Sequence, residues 1–292
     1  VKKLNQRLKD KSAVVTGSGS SVGIGRSVAL ALAAEGARVV VNDIGRDPDG
    51  TSRADKVVEE ITNASGTAVA NYDSVATMVG GENIIKTATS NFGRIDILVN
   101  CAGNFRSGPT VETTENDWDS VMDVHLKGHF SCTKAAVKEM IQQKSGRIIN
   151  ISSRAAFDFG APGTVSREYG IYATAKAGIL GFTAALSGEL REYGITVNAL
   201  LPSAITDLFP RPRVRFGGGD TGEPDFVAPI IVYLATDEAQ RITGQFIYAC
   251  TGDLCIYARP MQLPGPHMFI RKMGKWTIDE LTEAIPPLLG LT

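Results

Sequence analysis

A chain of 292 residues, of which 43% are hydrophobic and 21% charged, has the composition of an ordinary globular protein and room for one large domain or two small ones. Its formal net charge of -1 provides no basic surface for nucleic acid or an anionic membrane, so we expect neither as a partner. The four cysteines form no CxxC pair and lack metal-ligand spacing, which predicts free thiols in a reducing compartment and no metal site: Cys101, Cys132, Cys250 and Cys255.

Both ends of the sequence indicate a cytoplasmic protein. The first residues, VKKLNQRLKDKSAVVTG, pass from basic side chains directly into a short apolar run, without the apolar core of a secretory signal. The last three residues, GLT, are not the peroxisomal tripeptide. No apolar run between the two ends is long enough to span a membrane.

Short apolar runs rich in β-branched residues alternate with amphipathic segments through Gly252. The runs predict strands at 13–16, 38–42, 68–71, 95–100, 147–151, 196–200 and 245–249. The amphipathic segments predict helices at 25–35, 51–63, 75–92, 114–143, 172–193 and 225–235. Strands that are apolar throughout and are joined by helical crossovers form a parallel sheet covered on both faces. We therefore predict an α/β fold, a Rossmann-type doubly wound sheet of about seven strands, with ligands bound beyond the carboxyl ends of the strands.

A glycine-rich turn follows the first predicted strand, and a helix begins immediately after it. Glycines allow the backbone to approach a pyrophosphate, and a helix N-terminus offers unpaired N–H groups at a positive dipole end. The spacing in TGSGSSVGIG departs from GxGxxG, because Val22 stands at the sixth position. Its place after the first strand nevertheless predicts a dinucleotide site that includes Gly17, Ser18, Gly19, Gly23, Ile24 and Gly25.

Acidic side chains end the next two strands. Asp43 stands 26 residues beyond Gly17, where a carboxylate accepts hydrogen bonds from a ribose 2′-hydroxyl and repels a 2′-phosphate, which favours NAD over NADP. Arg46 keeps NADP as the alternative, and a solvated turn is the non-functional interpretation of this segment. Asp73 and the adjacent Ser74 end the third strand, where an adenine would lie.

The fourth strand ends in the run NCAG, and the stretch from 146 to 181 follows it with the reactive groups. Small residues in NCAG let a nicotinamide ribose approach the backbone, which makes candidates of Asn100, Ala102 and Gly103. The later stretch leads from a strand into Ser152 and Ser153, and its helix places Tyr172 and Lys176 four residues apart on one face.

A phenol with a reference pKa of about 10 is a poor base near neutral pH, but a cation held beside it favours the phenolate. A hydroxyl of the serine pair would then hold the oxygen that gains or loses the proton. The pattern predicts acid/base chemistry on an alcohol/carbonyl pair, provided that a hydride carrier lies beside it. A chance Tyr-x-x-x-Lys on an ordinary helix is the alternative.

Taken together, these motifs resemble the single-domain short-chain dehydrogenase/reductases over residues 10–255. The shared elements are TGSGSSVGIG, Asp43, Asp73, NCAG at 100–103, ISS at 151–153 and YATAK at 172–176. Other passages are similar to the (3R)-hydroxyacyl-CoA dehydrogenase unit of type 2 peroxisomal multifunctional enzymes: VVVND at 39–43, ADKVVEEI at 54–61, AVANYDSV at 68–75, GRID at 93–96, DVHLKGHF at 123–130 and PDFVAP at 224–229.

The resemblance implies a role for each matched residue. Tyr172 would be the general acid/base, and Lys176 would hold the nicotinamide ribose and lower the pKa of the phenol. Ser153, with Ser152 as the neighbouring candidate, would hydrogen-bond the substrate oxygen. The coenzyme site would continue past the sixth strand with Pro202, Ile205 and Thr206. We expect a homodimer or homotetramer.

Three features depart from the family pattern. The glycine turn has five residues between TG and GxG, where the family has three. Ser153 and Tyr172 stand nineteen apart rather than thirteen, and the insertion, assigned to APGTVSREYG, could cover the substrate entrance. Within it, Tyr169 is a rival phenol, but the residue four positions later is Ala173, so it has no lysine partner. Finally, His125 replaces the asparagine of the VNLxG pattern.

His125 and His129 have the i, i+4 spacing of zinc ligands, but no glutamate follows His125 as in HExxH and no third ligand is evident. Two interpretations of His125 stay open. It either supports a water-mediated proton path from Lys176 or is a packed core histidine.

Two further segments have candidate roles. Arg211, Arg213 and Arg215 stand where the family places its substrate loop, and they would either hold the phosphates of a coenzyme A thioester or form a solvated loop. We assign residues 1–258 to the NAD-binding domain and 259–292 to a C-terminal tail that packs on the core or on a neighbouring subunit. Its helix, TIDELTEAI, would start at a capping box.

These observations predict an NAD-dependent oxidoreductase that interconverts a secondary alcohol and a ketone, with a 3-hydroxyacyl-CoA or similar hydrophobic alcohol as the substrate. An NADP-dependent 3-oxoacyl or ketone reductase is the alternative enzyme. A nucleotide-binding regulatory or scaffold protein that has lost turnover is the alternative of another class. The intact set of Ser153, Tyr172 and Lys176 argues against it.

Overall fold

The structure, a computed structural model, describes residues 6–156, 169–211 and 219–257, together with Glu283 and Pro287. The chain divides into two compact units, residues 1–257 and 258–292, and the sheet with its helices belongs to the first. Three predicted features lie outside the described residues: the tail helix apart from Glu283, the insertion before Tyr169, and the pair Arg213 and Arg215.

Eight strands form one sheet. They are β1 Ser12–Thr16, β2 Arg38–Asn42, β3 Thr67–Asn71, β4 Ile97–Asn100, β5 Gly146–Ile151, β6 Ile195–Pro202, β7 Phe246–Cys250 and β8 Asp253–Tyr257. The order across the sheet is β3-β2-β1-β4-β5-β6-β7-β8, and every neighbouring pair is parallel except β7 and β8. The order reverses between β1 and β4, which opens a crevice at the carboxyl edge of the sheet.

Seven α-helices surround this sheet in the described part of the chain. They are α1 Ile24–Ala34, α2 Arg53–Asn63, α3 Met78–Phe92, α4 Glu115–Met122, α5 Gly128–Gln143, α6 Gly170–Glu189 and α7 Ala228–Ala235. A π-helical turn, Asp123–Lys127, joins α4 to α5. No described helix combines the length and apolarity that crossing a bilayer requires.

The strands bury side chains on both faces, because successive residues of a strand point to opposite sides. Val15 and Val41 belong to the core on one face, whereas Val14 and Val40 belong to the core on the other. Such strands show a continuous apolar run in the sequence, and this is why their positions were predictable.

The structure confirms the doubly wound parallel sheet and adds β8 as an antiparallel edge strand. Leu254 and Ile256 on β8 are 59% and 65% exposed, so this edge strand is not buried as β1 and β2 are. The predicted helix over 114–143 is continuous in space, but the π-helical turn interrupts its α-helical hydrogen bonding.

Candidate active site

The turn between β1 and α1 lies at the carboxyl edge of the sheet, against the loop that follows β4. Gly17 has a left-handed φ of 62°, and a Cβ there would lie 2.5 Å from the Cα of Ala102. Gly25 is packed against the backbone of Gly17, so a side chain would not fit there either. No side chain caps the N-terminus of α1 at Gly23. The turn therefore offers close backbone approach and open N–H groups, as a pyrophosphate requires.

The end of β1 also holds the NCAG run in place. Thr16 Oγ1 accepts hydrogen bonds from the backbone N–H groups of Cys101 and Ala102, at 3.0 and 3.1 Å. Asn100 is fully buried, and its Nδ2 donates to Thr133 Oγ1 at 3.0 Å and to Asn150 Oδ1 at 2.9 Å. Asn100 thus ties the end of β4 to the end of β5.

Asp43, at the end of β2, is half-buried and faces the glycine turn. Its carboxylate accepts from the N–H groups of Gly19 and Gly45, at 2.8 and 2.7 Å. The nearby cations are directed elsewhere, because Arg46 donates to the carbonyl of Gly50 and Arg53 pairs with Asp47. A fixed carboxylate at this place fits a ribose diol.

Asp73 lies beyond β3 within a network of asparagine amides. Its carboxylate accepts from Asn71 Nδ2 at 2.9 Å and from Asn83 Nδ2 at 3.0 Å, and its carbonyl accepts from Asn42 Nδ2. The adjacent Ser74 is half-buried and accepts from a backbone N–H. These contacts hold Asp73 at the sheet edge where an adenine was predicted.

The predicted acid/base pair lies on the first turns of α6, buried beside the end of β5. Lys176 Nζ is 5.5 Å from the centroid of the Tyr172 ring and donates to the carbonyl of Ile151 at 2.8 Å. Tyr172 is 5% exposed and Lys176 is 3% exposed. Burial lowers the pKa of Lys176 to about 8, although the Cys101 thiol opposes this shift. The side chain is therefore mostly an ammonium ion at neutral pH.

The two serines after β5 have different environments. Ser152 is buried, and its hydroxyl donates to the carbonyl of Lys176 at 2.8 Å, which ties β5 to α6. Ser153 is half-buried, and its Oγ accepts from the N–H of Ala155 at 3.2 Å. Among the described residues the Ser153 hydroxyl has no acceptor for its hydrogen, which could thus be donated to a substrate oxygen, so of the two serines Ser153 is the better candidate.

An aromatic cluster, which sequence reasoning missed, surrounds Tyr172. The ring of Phe105 makes edge-to-face contacts with Tyr169 at 5.0 Å, Tyr172 at 5.3 Å and Phe209 at 4.9 Å between centroids. Phe105 stands two positions after the NCAG run, so its closeness to a candidate site in the sequence could have identified it as a site residue. The cluster provides an apolar wall beside the phenol.

His125 lies on the π-helical turn, where one extra residue per turn changes the direction of side chains. Its ring is 5.4 Å from that of Tyr172, and its Nε2 contacts the N–H and the carbonyl of Asn104. Burial, followed by the charge of Lys176, lowers the pKa of His125 well below its ordinary value. The imidazole is therefore neutral, and its Nδ1 has no hydrogen-bond partner among the described residues.

His129 lies one turn further along α5, and burial lowers its pKa to about 3. Its Nε2, like the Nδ1 of His125, has no hydrogen-bond partner among the described residues. Within the described ranges, no three His, Cys, Asp or Glu side chains come together as metal ligands would.

The loop after β6 supplies the last predicted residues. Pro202 ends the strand, and Ile205 is held by a hydrogen bond from its N–H to the carbonyl of Gly222. Thr206 is 9% exposed, and its Oγ1 accepts from the N–H of Phe209. This turn brings Phe209 into the aromatic cluster. Arg211 is exposed.

Comparison with known proteins identifies the family that this architecture resembles. A profile for the short chain dehydrogenases matches residues 11–209. The peroxisomal multifunctional enzyme type 2 of Drosophila melanogaster is 40% identical over 252 residues, which are 84% of this chain but only 40% of that longer enzyme. A 3-oxoacyl-[acyl-carrier-protein] reductase from Synechocystis is 43% identical over 235 residues, 78% of this chain and 91% of the reductase.

Solved structures agree with the sequence comparison. The crystal structure of a short chain dehydrogenase from Mycobacterium avium has a TM-score of 0.83 and 39% identity, and the match covers 97% of this chain and 96% of that one. Together the matches confirm the fold and the resemblance predicted from the motifs. They also confirm NAD(P) as the class of coenzyme, which the glycine turn and Asp43 fit.

Proposed function

This chain belongs to the short-chain dehydrogenase family, and we propose that it is an NAD-dependent member that interconverts a secondary alcohol and a ketone. Family membership makes the protein an NAD(P)-dependent oxidoreductase that acts on CH–OH groups. The observation that carries the finer proposal is the buried phenol and ammonium pair, in which Lys176 Nζ lies 5.5 Å from the Tyr172 ring centroid. This pair lies beside the end of β5, whereas the glycine turn and Asp43 follow β1 and β2 at the same edge of the sheet.

In the oxidative direction, Tyr172 as phenolate accepts the proton of the substrate hydroxyl. The ammonium of Lys176 favours the phenolate, and the Ser153 hydroxyl holds the substrate oxygen as its bond to carbon becomes a carbonyl. A bound nicotinamide would supply the acceptor for the hydride that leaves the same carbon. In the reductive direction, Tyr172 returns the proton to the oxygen.

The proton that Tyr172 takes up must reach solvent from a buried position. The unpartnered Nδ1 of His125, next to Tyr172 and Lys176, supports the first of the two interpretations of this residue. A buried ring nitrogen without a partner is costly unless a water bonds to it. We therefore favour a water held by His125 on the path that leads from Lys176.

The preference for NAD rests on Asp43. Two backbone N–H groups fix its carboxylate toward the glycine turn, and the cation that would suit a 2′-phosphate, Arg46, is bonded to the carbonyl of Gly50. A phosphate beside Asp43 would face a like charge, while the neighbouring arginines, Arg46 and Arg53, are engaged by the carbonyl of Gly50 and by Asp47.

The proposed substrate is a 3-hydroxyacyl-CoA or a similar hydrophobic alcohol. The aromatic cluster around Tyr172 supports an apolar substituent next to the reacting carbon. The similarity to a peroxisomal multifunctional enzyme supports the acyl-CoA class.

The predicted contact of the arginines with coenzyme A phosphates has its own test. The activity on an acyl-CoA and on its pantetheine analogue is compared in the parent and in an Arg211→Ala/Arg213→Ala variant. An equal loss of activity on both substrates would contradict the contact. A cytoplasmic location and a homodimer or homotetramer remain predictions.

The decisive experiment removes one hydroxyl from the aromatic cluster. We expect Tyr172→Phe to lower kcat for alcohol oxidation by about 10³-fold, because the proton acceptor is lost while the ring packing stays. Tyr169→Phe is the matched control, since its ring contacts the same Phe105, and it should keep activity within about threefold. The proposal fails if Tyr172→Phe oxidises its best substrate as fast as the parent.

A second candidate, an NADP-dependent 3-oxoacyl reductase, is favoured by the 43% identity to the Synechocystis enzyme. A spectrophotometric screen of acyl-CoA, steroid and simple alcohols, and of the matching ketones, with both coenzymes separates the two candidates. NAD-dependent oxidation as the faster reaction supports the first, and NADPH-dependent reduction supports the second. Tight coenzyme binding without turnover on this panel would indicate that the substrate class is wrong.

A further inference from the structure

The loop that follows β6 is tied to the glycine turn that follows β1. Asp207 Oδ2 accepts from the hydroxyl of Ser20 at 2.6 Å, from that of Ser21 at 3.1 Å and from the N–H of Val22 at 3.2 Å. In return, the Asp207 N–H donates to the carbonyl of Val22 at 2.8 Å. We call this contact, Asp207 with residues 20–22, the clasp.

The clasp spans the crevice. Because β4 and β5 separate β1 from β6, the two strands that it connects lie three strand spacings apart, about 14 Å. The positions that it crosses are the carboxyl ends of β4 and β5, where Asn100 and Ser153 are located. A dinucleotide in this crevice is therefore enclosed between the sheet edge and the clasp.

The residues of the clasp are not among those predicted above to bind the coenzyme. Ser20, Ser21 and Val22 belong to the lengthened part of the glycine turn, before Gly23 and the open N-terminus of α1. On the other side, Asp207 directly follows Thr206, one of the residues predicted to lie in the coenzyme site. The lengthened turn is thus hydrogen-bonded to the loop that follows β6, on the other side of the crevice.

We propose that the clasp is a gate, and that Asp207, as a positioning residue, sets the rate at which the coenzyme enters and leaves. Because the clasp crosses the crevice, the coenzyme must wait for it to open in either direction. Loosening such a gate raises the association and dissociation rate constants by the same factor and leaves their ratio unchanged. The inference rests on coenzyme binding and not on the identity of the alcohol.

Stopped-flow fluorescence with NADH and the full-length protein tests the gate. Asp207→Asn keeps the shape of the side chain but removes the charge that three donors share, and we expect kon and koff to rise about tenfold each. The dissociation constant should change by less than about twofold. Glu59→Gln, which removes an exposed carboxylate from α2, is the matched control and should leave both rate constants unchanged.

A second variant replaces the hydrogen-bond donors of the clasp instead of the acceptor. Ser20→Ala/Ser21→Ala removes two donors and should raise both rate constants in the same way, and combining it with Asp207→Asn should add less than about twofold, because both changes open one contact. This variant also keeps the test available if Asp207→Asn fails to fold.

Three results would overturn the gate. A rise in koff alone, with weaker binding, would make Asp207 a direct coenzyme contact. Tighter binding with an unchanged koff would mean that the carboxylate competes with the phosphates. Unchanged rate constants would leave the clasp a structural contact only. A parent protein that binds NADH but oxidises no alcohol would contradict the proposed function and leave this inference intact.

Discussion

At the scale of one residue, the burial of the charged Lys176 side chain in the candidate site lowers the stability of the folded protein. The folded protein lowers the pKa of this side chain to about 8 from 10.5, mainly by burial. At pH 7 the lysine is charged in both states, so the folded state bears a desolvation cost of about 3 kcal/mol. Between pH 8 and 10.5 the unfolded chain binds more protons than the folded one, so this cost is relieved as pH rises.

We therefore predict that Lys176→Met abolishes oxidation but stabilises the fold by about 2 kcal/mol at pH 7, after about 1 kcal/mol is subtracted for the lost hydrogen bond to Ile151. The gain should disappear by about pH 10, because the parent lysine is then mostly neutral when folded. Urea unfolding at both pH values measures this. Lys134→Met, at an exposed position of α5, is the control. A gain that does not depend on pH would contradict the argument.

The sequence predicted Tyr172 and Lys176 because they are neighbours on one helix, and helical spacing brings residues four apart together. It did not predict that Phe105 and Phe209 meet over the phenol. These residues are 104 positions apart, and their contact depends on how two loops fold over the sheet edge. The sequence also did not predict that the Ser152 hydroxyl donates to the backbone carbonyl of Lys176, because this contact depends on the turn after β5.

At the scale of secondary-structure elements, the turn between β1 and α1 requires a glycine at position 17, and a substitution there tests this requirement. Gly17→Ala would have a left-handed φ of 62° and a Cβ in contact with the Ala102 backbone. Gly50→Ala is the matched control, since Gly50 has a φ of 86° but nothing within 4 Å of a Cβ. We expect Gly50→Ala to cost about 1 kcal/mol, and Gly17→Ala about 3 kcal/mol because the loop after β4 must also shift.

Chemical denaturation measures both costs, and NADH titration should show that only Gly17→Ala loses coenzyme affinity. Equal costs for the two variants would mean that backbone conformation, and not the approach of Ala102, explains the glycine.

The sequence predicted most strands and helices to within a few residues, because buried strands are apolar throughout and the helices are amphipathic. It could not reveal the π-helical turn at His125. There the N–H of Gly128 bonds to the carbonyl of Asp123, five residues back, while the apolar pattern on either side stays helical. The edge strand β8 was not predicted, and in the structure more than half of Leu254 and Ile256 is exposed.

At the scale of the whole molecule, the alternation of strands and helices was sufficient to predict a doubly wound sheet, since right-handed crossovers leave few other arrangements. The clasp was beyond such reasoning. Ser20 and Asp207 are 187 residues apart, and neither belongs to a recognisable motif. Only the folded sheet, which brings the ends of β1 and β6 to one edge, places them in contact.

Coenzyme choice affects the stability of the entire first unit, because a ligand that binds only the folded state stabilises it by mass action. At a concentration of 100 times its Kd, NAD should add about 2.7 kcal/mol, which raises the Tm by about 5 °C for a domain of this size. NADP at the same concentration should raise it by less, since Asp43 repels the 2′-phosphate. Differential scanning fluorimetry with both coenzymes measures the difference.

Asp43→Ser should reverse the order of the two coenzymes, with each shift taken from the variant's own ligand-free Tm, because the carboxylate also holds Gly19 and Gly45 and its loss lowers that reference. Asp49→Asn removes a carboxylate from the exposed side of the same segment and should keep the parent order. If the parent were stabilised more by NADP than by NAD, the role of Asp43 would be wrong. The phenol and ammonium chemistry at Tyr172 would stand, since it does not depend on which coenzyme delivers or accepts the hydride.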